Sequence, residues 1–160
     1  MKKIIMLILF AVNFGCEEEV RLIETMVYQQ NSCKGGCPFY EITIDANRTL
    51  RYVGYRYVAI TDTIYDYVSR EQLSKLTEAF NECGYFSLKD EYTTRSATDM
   101  ASAYTSIKIG GKSKSVLHYF GDSSAPEGLK NLYTKINEIL NTERWTGTKP
   151  IFDFIEKKLP

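Results

Sequence analysis

Residues 104–120 read YTSIKIGGKSKSVLHYF, and this stretch decides the fold class. Apolar and polar side chains alternate on both sides of Gly110-Gly111, which is the pattern of two half-buried strands. Two adjacent glycines can both take positive φ, as the tight turn of a two-residue hairpin requires. The stretch therefore predicts an antiparallel hairpin, and other parts of the chain must cover its apolar side.

Two amphipathic helices are predicted, one before this hairpin and one after it. Ser69 and Gln72 form a capping box at the start of the first, and Gly84 follows where a left-handed residue ends a helix. Its apolar face, spaced at three and four residues, consists of Leu73, Leu76, Phe80 and Cys83. A thiol on that face is desolvated, so Cys83 is predicted to be an inert core residue.

The second helix is predicted to follow another capping box, at residues 124–127, with Pro126 in its first turn. Its apolar face consists of Leu129, Leu132, Tyr133, Ile136, Ile139 and Leu140.

Earlier strands complete the pattern. Residues 39–45 alternate as a half-buried strand, residues 46–48 supply a turn, and residues 49–54 return. Residues 55–68 continue the alternation with β-branched and aromatic side chains, which indicates a meander. Strands, helix, strands and helix in this order predict an α+β domain whose largely antiparallel sheet carries both helices on one side.

Two segments lack clean periodicity. Residues 85–100 mix aromatic and polar side chains and are predicted to be a long loop, and such loops are often functional. Residues 142–160 form an apolar extension, which we expect to dock on the domain or on a partner. Its apolar residues are Trp145, Ile151, Phe152, Phe154, Ile155 and Leu159.

The first residues are typical of an exported protein. Residues 1–15 combine Lys2-Lys3 with an apolar run too short to span a bilayer, the layout of a signal peptide. Gly15-Cys16 at its end resembles the lipobox of bacterial lipoproteins, which implies that Cys16 is acylated, palmitate being one such acyl group. Asn13 departs from that pattern, so cleavage by the general signal peptidase and a looser, clade-specific lipobox both stay open.

Three glutamates follow Cys16, and residues 16–24 are interpreted as an acidic tether. They are similar to an export signal of some Gram-negative lipoproteins. We therefore expect an outer-membrane lipoprotein, with the periplasmic or surface leaflet left open.

Composition excludes several functions. The 160 residues carry 20 basic and 20 acidic side chains, so nothing attracts the chain to nucleic acid. No common catalytic motif is present, and one histidine, His118, leaves little room for a triad or a metal site. Hence no catalytic residue, cofactor or metal is predicted, although a glycosidase-like pair within Asp90, Glu91 and Asp99 stays an alternative.

Cys33 and Cys37 have a spacing that first indicates a disulfide, because exported proteins mature in an oxidising compartment. One alternative is a Cu(I) site shared with His118, and another is a redox dithiol. Both expect a helix after the second cysteine, whereas Pro38 leads into a strand pattern.

The same loop is part of a wider resemblance. The pattern C-x-G-x-C-P-x-Y matches Cys33, Gly35, Cys37, Pro38 and Tyr40, and it resembles a family of small exported bacterial lipoproteins that share a domain of unknown function. Further matches lie in order up to residue 140: Tyr52, Gly54, residues 86–90, Tyr92, Thr98, Asp99, Lys114, Tyr119, Gly121, Pro126, Leu129 and Leu132. The resemblance implies the α+β fold and export but no established activity. Gly35, Pro38, Tyr40, Tyr92, Thr98 and Asp99 are motif residues of unknown role.

The functional prediction follows from these features. Residues 25–141 are predicted to be a non-enzymatic binding domain held to the membrane by lipid, with an envelope protein or glycan as partner. A set of tyrosines offers amphipathic contact area for that role: Tyr52, Tyr55, Tyr57, Tyr65 and Tyr67. The alternative is a periplasmic thiol-redox or Cu(I)-handling protein that uses Cys33 and Cys37. The sequence predicts no oligomeric state.

Overall fold

The computed structural model describes residues 22–94 and 98–148. They form seven strands, two longer helices and one short helix. In chain order these are β1 (Ile23–Gln30), β2 (Phe39–Ile44), β3 (Thr49–Arg56), β4 (Thr63–Tyr67), α1 (Arg70–Glu82), β5 (Glu91–Tyr92), β6 (Ser102–Ile109), β7 (Lys112–Tyr119), α2 (Glu127–Leu140) and α3 (Glu143–Thr146). The predicted signal peptide, Cys16 and residues 149–160 lie outside the described residues.

The strands form one sheet in the order β4-β3-β2-β1-β6-β7-β5. Every neighbouring pair is antiparallel except β5 and β7, which run parallel. The predicted α+β class with a largely antiparallel sheet is confirmed. The hairpin of β6 and β7 turns at Gly110 and Gly111, whose φ angles of 56° and 76° match the predicted turn.

One sheet face and the two longer helices enclose the core. Strand alternation turns Met26, Tyr40, Leu50 and Ile107 towards the helices, and each is at most 2% exposed. Helix α1 begins with the predicted capping box, in which the Gln72 amide donates to Ser69 Oγ at 3.1 Å. The opposite sheet face carries no helix within the described residues.

The second predicted capping box is wrong. Helix α2 begins at Glu127, and Pro126 is its cap residue with an extended backbone and no capping side chain. The Ser124 amide instead donates to Asp122 Oδ1 at 2.8 Å. The Asp122 side chain thus organises this turn before the helix starts.

The prediction for residues 85–100 was too simple. Tyr85–Ser87 form a 3-10 turn, and Glu91–Tyr92 form the edge strand β5 beside β7. The Tyr85 hydroxyl donates to the Thr105 carbonyl at 2.9 Å, so the segment is fixed to the core by a buried aromatic ring.

The predicted strand over residues 55–68 is interrupted by a loop at residues 57–62. Tyr57 has φ 57°, which ends β3. The loop then folds so closely over β3 that a Cβ at Gly54 would lie 1.9 Å from the Ile60 carbonyl oxygen. Only glycine permits this approach.

The first residues of the apolar extension dock on the domain, as predicted. Trp145 is 5% exposed, and its ring centroid lies 5.1 Å from that of Tyr52. The Ala59 and Ile60 amides donate to the Thr146 and Trp145 carbonyls, both at 3.0 Å. Helix α3 therefore closes the end of the core next to the residue 57–62 loop.

Candidate functional site

Cys33 and Cys37 form a disulfide in the loop between β1 and β2, with their Cα atoms 5.2 Å apart. The Cys37 amide donates to Cys33 Sγ at 3.3 Å, and Gly36 takes φ 85° to close the loop. Strand β2 starts two residues after Cys37, so no helix N-terminus faces either sulfur.

The disulfide loop is anchored to the core by a buried glutamine. Gln30 is 2% exposed, and its Nε2 donates to the Pro38 carbonyl at 3.1 Å. Its Oε1 accepts from the Tyr28 hydroxyl at 3.3 Å. Pro38 thus takes a structural role, because its carbonyl is the point where the loop is tied to the sheet.

The same network continues to Asn137, on the buried side of α2. Asn137 Oδ1 accepts from the Tyr40 hydroxyl at 2.5 Å and from the Thr142 hydroxyl at 2.6 Å. Its Nδ2 donates to the Tyr28 oxygen at 3.3 Å and to the Tyr133 carbonyl at 2.8 Å. Burial raises the pKa of Tyr28 to about 12 and that of Tyr40 as well, so both hydroxyls keep their protons.

The other motif residues lie in two places. Tyr92 is 6% exposed, and its hydroxyl accepts from the Lys89 amide at 3.3 Å. Asp99 is exposed with φ 62°, and its carboxylate lies 3.8 Å from the Lys34 ammonium of the disulfide loop. Thr98 and Gly35 are exposed as well. Asp99 therefore joins two loops by a surface ion pair, which contributes little stability.

His118 and Cys83 occupy separate parts of the core region. His118 is fully buried, and its ring contacts Tyr92, Phe120 and Tyr133 with centroids 5.2 to 6.2 Å apart. Cys83 is only half-buried, and burial raises the pKa of its thiol to about 11, which keeps it protonated. Within the described ranges, no three His, Cys, Asp or Glu side chains are grouped to hold a metal ion.

The acidic residues of the predicted long loop have separate partners. Asp90 pairs with the Lys114 ammonium, which also donates to the Leu88 carbonyl at 2.7 Å, whereas Asp99 pairs with Lys34. Asp90 and Glu91 line an open cleft of about 500 Å³ beside β7. These ion pairs give no reason to assign Asp90 and Asp99 to one acid-base pair.

The predicted tyrosine set divides into one core residue and four surface residues. Tyr52 is fully buried, and its hydroxyl donates to the Ile60 carbonyl at 3.3 Å. Tyr55, Tyr57, Tyr65 and Tyr67 are 44%, 53%, 68% and 62% exposed. Strand parity explains the division, because Tyr52 points to the helices and Tyr55 to the opposite face.

We call the exposed group, together with Phe39, the aromatic surface. Tyr65 and Tyr67 of β4 lie opposite Arg51 and Thr49 of β3 on the helix-free face of the sheet. At the other end of β3, the ring centroids of Tyr55 and Phe39 lie 4.5 Å apart. Tyr57 continues the group towards the disulfide loop, where a Cβ on Gly36 would lie 3.7 Å from its ring.

Three arginines lie among these rings. The Arg48 guanidinium carbon is 5.5 Å from the Tyr67 ring centroid, and that of Arg56 is 5.9 Å from the Tyr57 centroid. Such cation–π contacts hold a charge at the surface without neutralising it. Arg51 differs, because its guanidinium lies 3.4 Å from Glu41.

The outer edge of β4 is protected against pairing with another strand. Alternation in the ladder with β3 turns the amides of Thr63, Tyr65 and Tyr67 outwards. Asp62 accepts from the Thr63 amide at 2.6 Å, and Asp66 accepts from the Tyr67 amide at 2.7 Å. Acidic side chains that accept hydrogen bonds from these outward amides disfavour the addition of another strand. Binding of a partner at this edge therefore depends on side chains.

Sequence reasoning missed Asn137 and the separation of Tyr52 from the other tyrosines. Both had a detectable signal: Asn137 interrupts an apolar helical face, and Tyr52 differs in strand parity from Tyr55. Arg48 and Arg56 carried no comparable signal, because the position of Arg48 over Tyr67 depends on how β4 is placed and that of Arg56 over Tyr57 on the positive φ at the end of β3.

A comparison with models of protein families gives a match that covers most of the described domain. A family model described as a domain of unknown function (DUF6438) matches residues 24–140, from β1 to the last residue of α2. The predicted domain of unknown function is confirmed, whereas export and lipidation stay predictions. No curated protein matches the chain. Among the described helices, none is long and apolar enough to cross a membrane.

Proposed function

Since the chain belongs to the DUF6438 family of domains of unknown function, we propose a function from its own surface. The protein is a non-enzymatic, lipid-anchored domain of the bacterial cell envelope, and it binds a polysaccharide on the aromatic surface. The observation that carries this proposal is the exposure of four tyrosine rings along β3 and β4 at one edge of the sheet.

The type of exposed side chain favours a glycan over a protein partner. The large apolar residues exposed within the described ranges are the four tyrosines and Phe86, without an aliphatic residue. Tyrosine and arginine are also enriched at protein interfaces, but the buried centre of such an interface is more apolar than this set of rings. Tyrosine rings instead offer flat faces for sugar C–H groups and hydroxyls for sugar oxygens.

Lipid anchoring is supported by the first residues of the sequence. A basic start, an apolar run and Gly15-Cys16 match the order in a lipoprotein precursor, and three glutamates then follow. Several acyl chains on Cys16 would give durable membrane attachment, because each buried methylene contributes about 0.8 kcal/mol.

Replacement of Cys16 by Ala is expected to move the protein from the membrane fraction to the soluble fraction. The physical reason is loss of the acylated thiol and of the cleavage site that exposes it. Fractionation and metabolic labelling with a palmitate analogue measure both effects. Cys83→Ala is the control and should stay membrane-bound and labelled. Detergent-dependent membrane retention of the Cys16→Ala protein would contradict the anchor.

Replacement of Tyr65 and Tyr67 together by Ser is expected to weaken polysaccharide binding at least tenfold. Two exposed rings that stack on sugars account for about 1.5 kcal/mol, and both lie on the edge strand, where the core is not disturbed. Affinity electrophoresis in gels containing neutral and acidic polysaccharides measures the loss. Phe86→Ser removes an exposed ring elsewhere and should change binding less than twofold. Absence of retardation in every polysaccharide would contradict the proposed function.

A further inference from the structure

We propose that the aromatic surface selects acidic polysaccharides, and that Arg48 and Arg56 bind their carboxylates. This inference rests on the proposed function and names its substrate class. It follows from where the arginines lie, which acidic groups near them are already engaged, and how long the surface is.

Arg48 is half-buried and Arg56 is exposed, and among the described residues neither has an anionic partner. Within the described residues, no carboxylate lies within ion-pair distance of Arg48 or Arg56, whose guanidinium groups lie over Tyr67 and Tyr57. A guanidinium keeps its charge at all physiological pH values and presents a planar set of donors that suits a carboxylate. The ring contact orients it in advance, which reduces the entropy lost on binding.

Two carboxylates near the aromatic surface accept hydrogen bonds from backbone amides. Asp45 accepts from the Asn47 amide at 2.8 Å and from the Thr49 amide at 2.9 Å, and Asp62 accepts from the Thr63 amide.

The remaining two carboxylates have arginine partners. Glu41 pairs with Arg51, and Asp66 pairs with Arg144 while it accepts from the Tyr67 amide. The local acids are therefore engaged, whereas Arg48 and Arg56 remain available for an anionic ligand.

The separation of the arginines favours a polymer over a single sugar. Arg48 directly precedes β3 and Arg56 ends it, eight residues further along, which corresponds to about 25 Å along an extended strand. Tyr67 lies by Arg48 and Tyr57 by Arg56, so each charge has a ring beside it. One chain with carboxylates at intervals can occupy both ends, and the second contact then benefits from a high effective concentration.

The test compares one polymer with and without its charges. Polygalacturonate and its carboxyl-reduced form share a backbone, and binding of the full chain in mild detergent is measured by biolayer interferometry. We expect wild type to bind the native polymer about tenfold more tightly than the reduced one, the scale of two charge-assisted contacts. Monomeric galacturonate should compete only weakly.

Matched variants identify the residues. Arg48→Gln with Arg56→Gln should remove most of the preference for the native polymer, so that this variant binds the native and the reduced polymer with affinities within about twofold of each other. Lys75→Gln with Lys130→Gln removes the same charge from the helices α1 and α2 and should have less than a twofold effect. Circular dichroism of each variant verifies folding.

The possible results separate the two proposals. Equal binding of native and reduced polymer overturns the acidic preference and leaves polysaccharide binding in place. Loss of binding in the lysine control overturns the assignment to Arg48 and Arg56. Binding to phosphatidylglycerol vesicles with the same arginine dependence, and not to polygalacturonate, overturns the inference in favour of a lipid headgroup. Failure to bind any polysaccharide overturns both proposals.

Discussion

Replacement of Asn137 by Ala is expected to lower the free energy of unfolding by about 4 kcal/mol. Asn137 is 4% exposed and is the one side chain that accepts from Tyr40 and Thr142 and also donates to Tyr28. The substitution leaves two buried hydroxyl donors without their acceptor. Each unsatisfied buried group costs about 1–3 kcal/mol, far more than the small gain in helix propensity from alanine.

Asn131 supplies the matched control for this experiment. It lies six residues earlier on the same helix and is exposed, so Asn131→Ala should change stability by less than about 0.5 kcal/mol. Urea unfolding measures both variants, and an unchanged m-value shows that the midpoint reports stability. Equal midpoints for the two variants would show that the Asn137 network does not stabilise the fold.

The loss of stability caused by Asn137→Ala should also affect the disulfide loop. The network runs from Asn137 through Tyr28 and Gln30 to the Pro38 carbonyl, at the start of β2. Phe39, next in the chain, stacks on Tyr55 of the aromatic surface. The buried network thus positions the start of β2, and with it Phe39 of the aromatic surface, which follows Pro38 directly in the chain.

Local patterns in the sequence predict most of the secondary structure. The Gly110-Gly111 hairpin, the capping box at Ser69 and the apolar face of α2 were all correct, because each depends on residues within one turn or one strand. The failures arise where another contact replaces the expected one, either close by in the chain or across the sheet. Asp122 accepts a hydrogen bond from the Ser124 amide, so the predicted capping box does not form. Residue 92 pairs with residue 118 of β7, so part of the predicted loop is a strand.

The candidate site was predictable only in part. Alternation alone separates Tyr52 from Tyr55, so the exposed rings could have been identified from strand parity. The pairing of Tyr40 with Asn137, 97 residues apart, has no local signature beyond a polar residue on an apolar helix face. The free charges of Arg48 and Arg56 depend on which acids the fold engages elsewhere, and the sequence does not determine this.

The stability of the protein is expected to fall by about 3 kcal/mol as the pH decreases from 6.5 to 4, because of His118 alone. His118 is fully buried, and neither ring nitrogen has a hydrogen-bond partner within the described residues. Burial lowers its pKa from 6.5 to about 4; the charge of Lys130 acts in the same direction, and Asp122 opposes it. In the unfolded chain the imidazole titrates near its ordinary pKa.

The sign of the effect follows from proton binding. Between pH 6.5 and pH 4 the unfolded chain binds a proton at His118 and the folded protein does not, so acid favours unfolding. The stabilising contribution is complete above pH 6.5 and is lost as the pH approaches 4. The chain has one histidine, so no second imidazole titrates in this range. Carboxylates with a lowered pKa, such as Asp66 and Asp122, lose their stabilising contribution mainly at lower pH.

His118→Phe isolates this contribution, because the carboxylates titrate equally in both proteins. Phenylalanine fits a site bounded by the rings of Tyr92, Phe120 and Tyr133, and it removes two buried nitrogens that have no hydrogen-bond partner in the described part of the chain. The variant should be at least as stable as wild type at pH 7, and its advantage should grow by about 3 kcal/mol at pH 4. Urea unfolding at half-unit pH intervals measures the difference, and His118→Leu controls for ring packing. Parallel stability curves for wild type and both variants would show that His118 binds protons equally in the folded and unfolded states and would contradict the prediction.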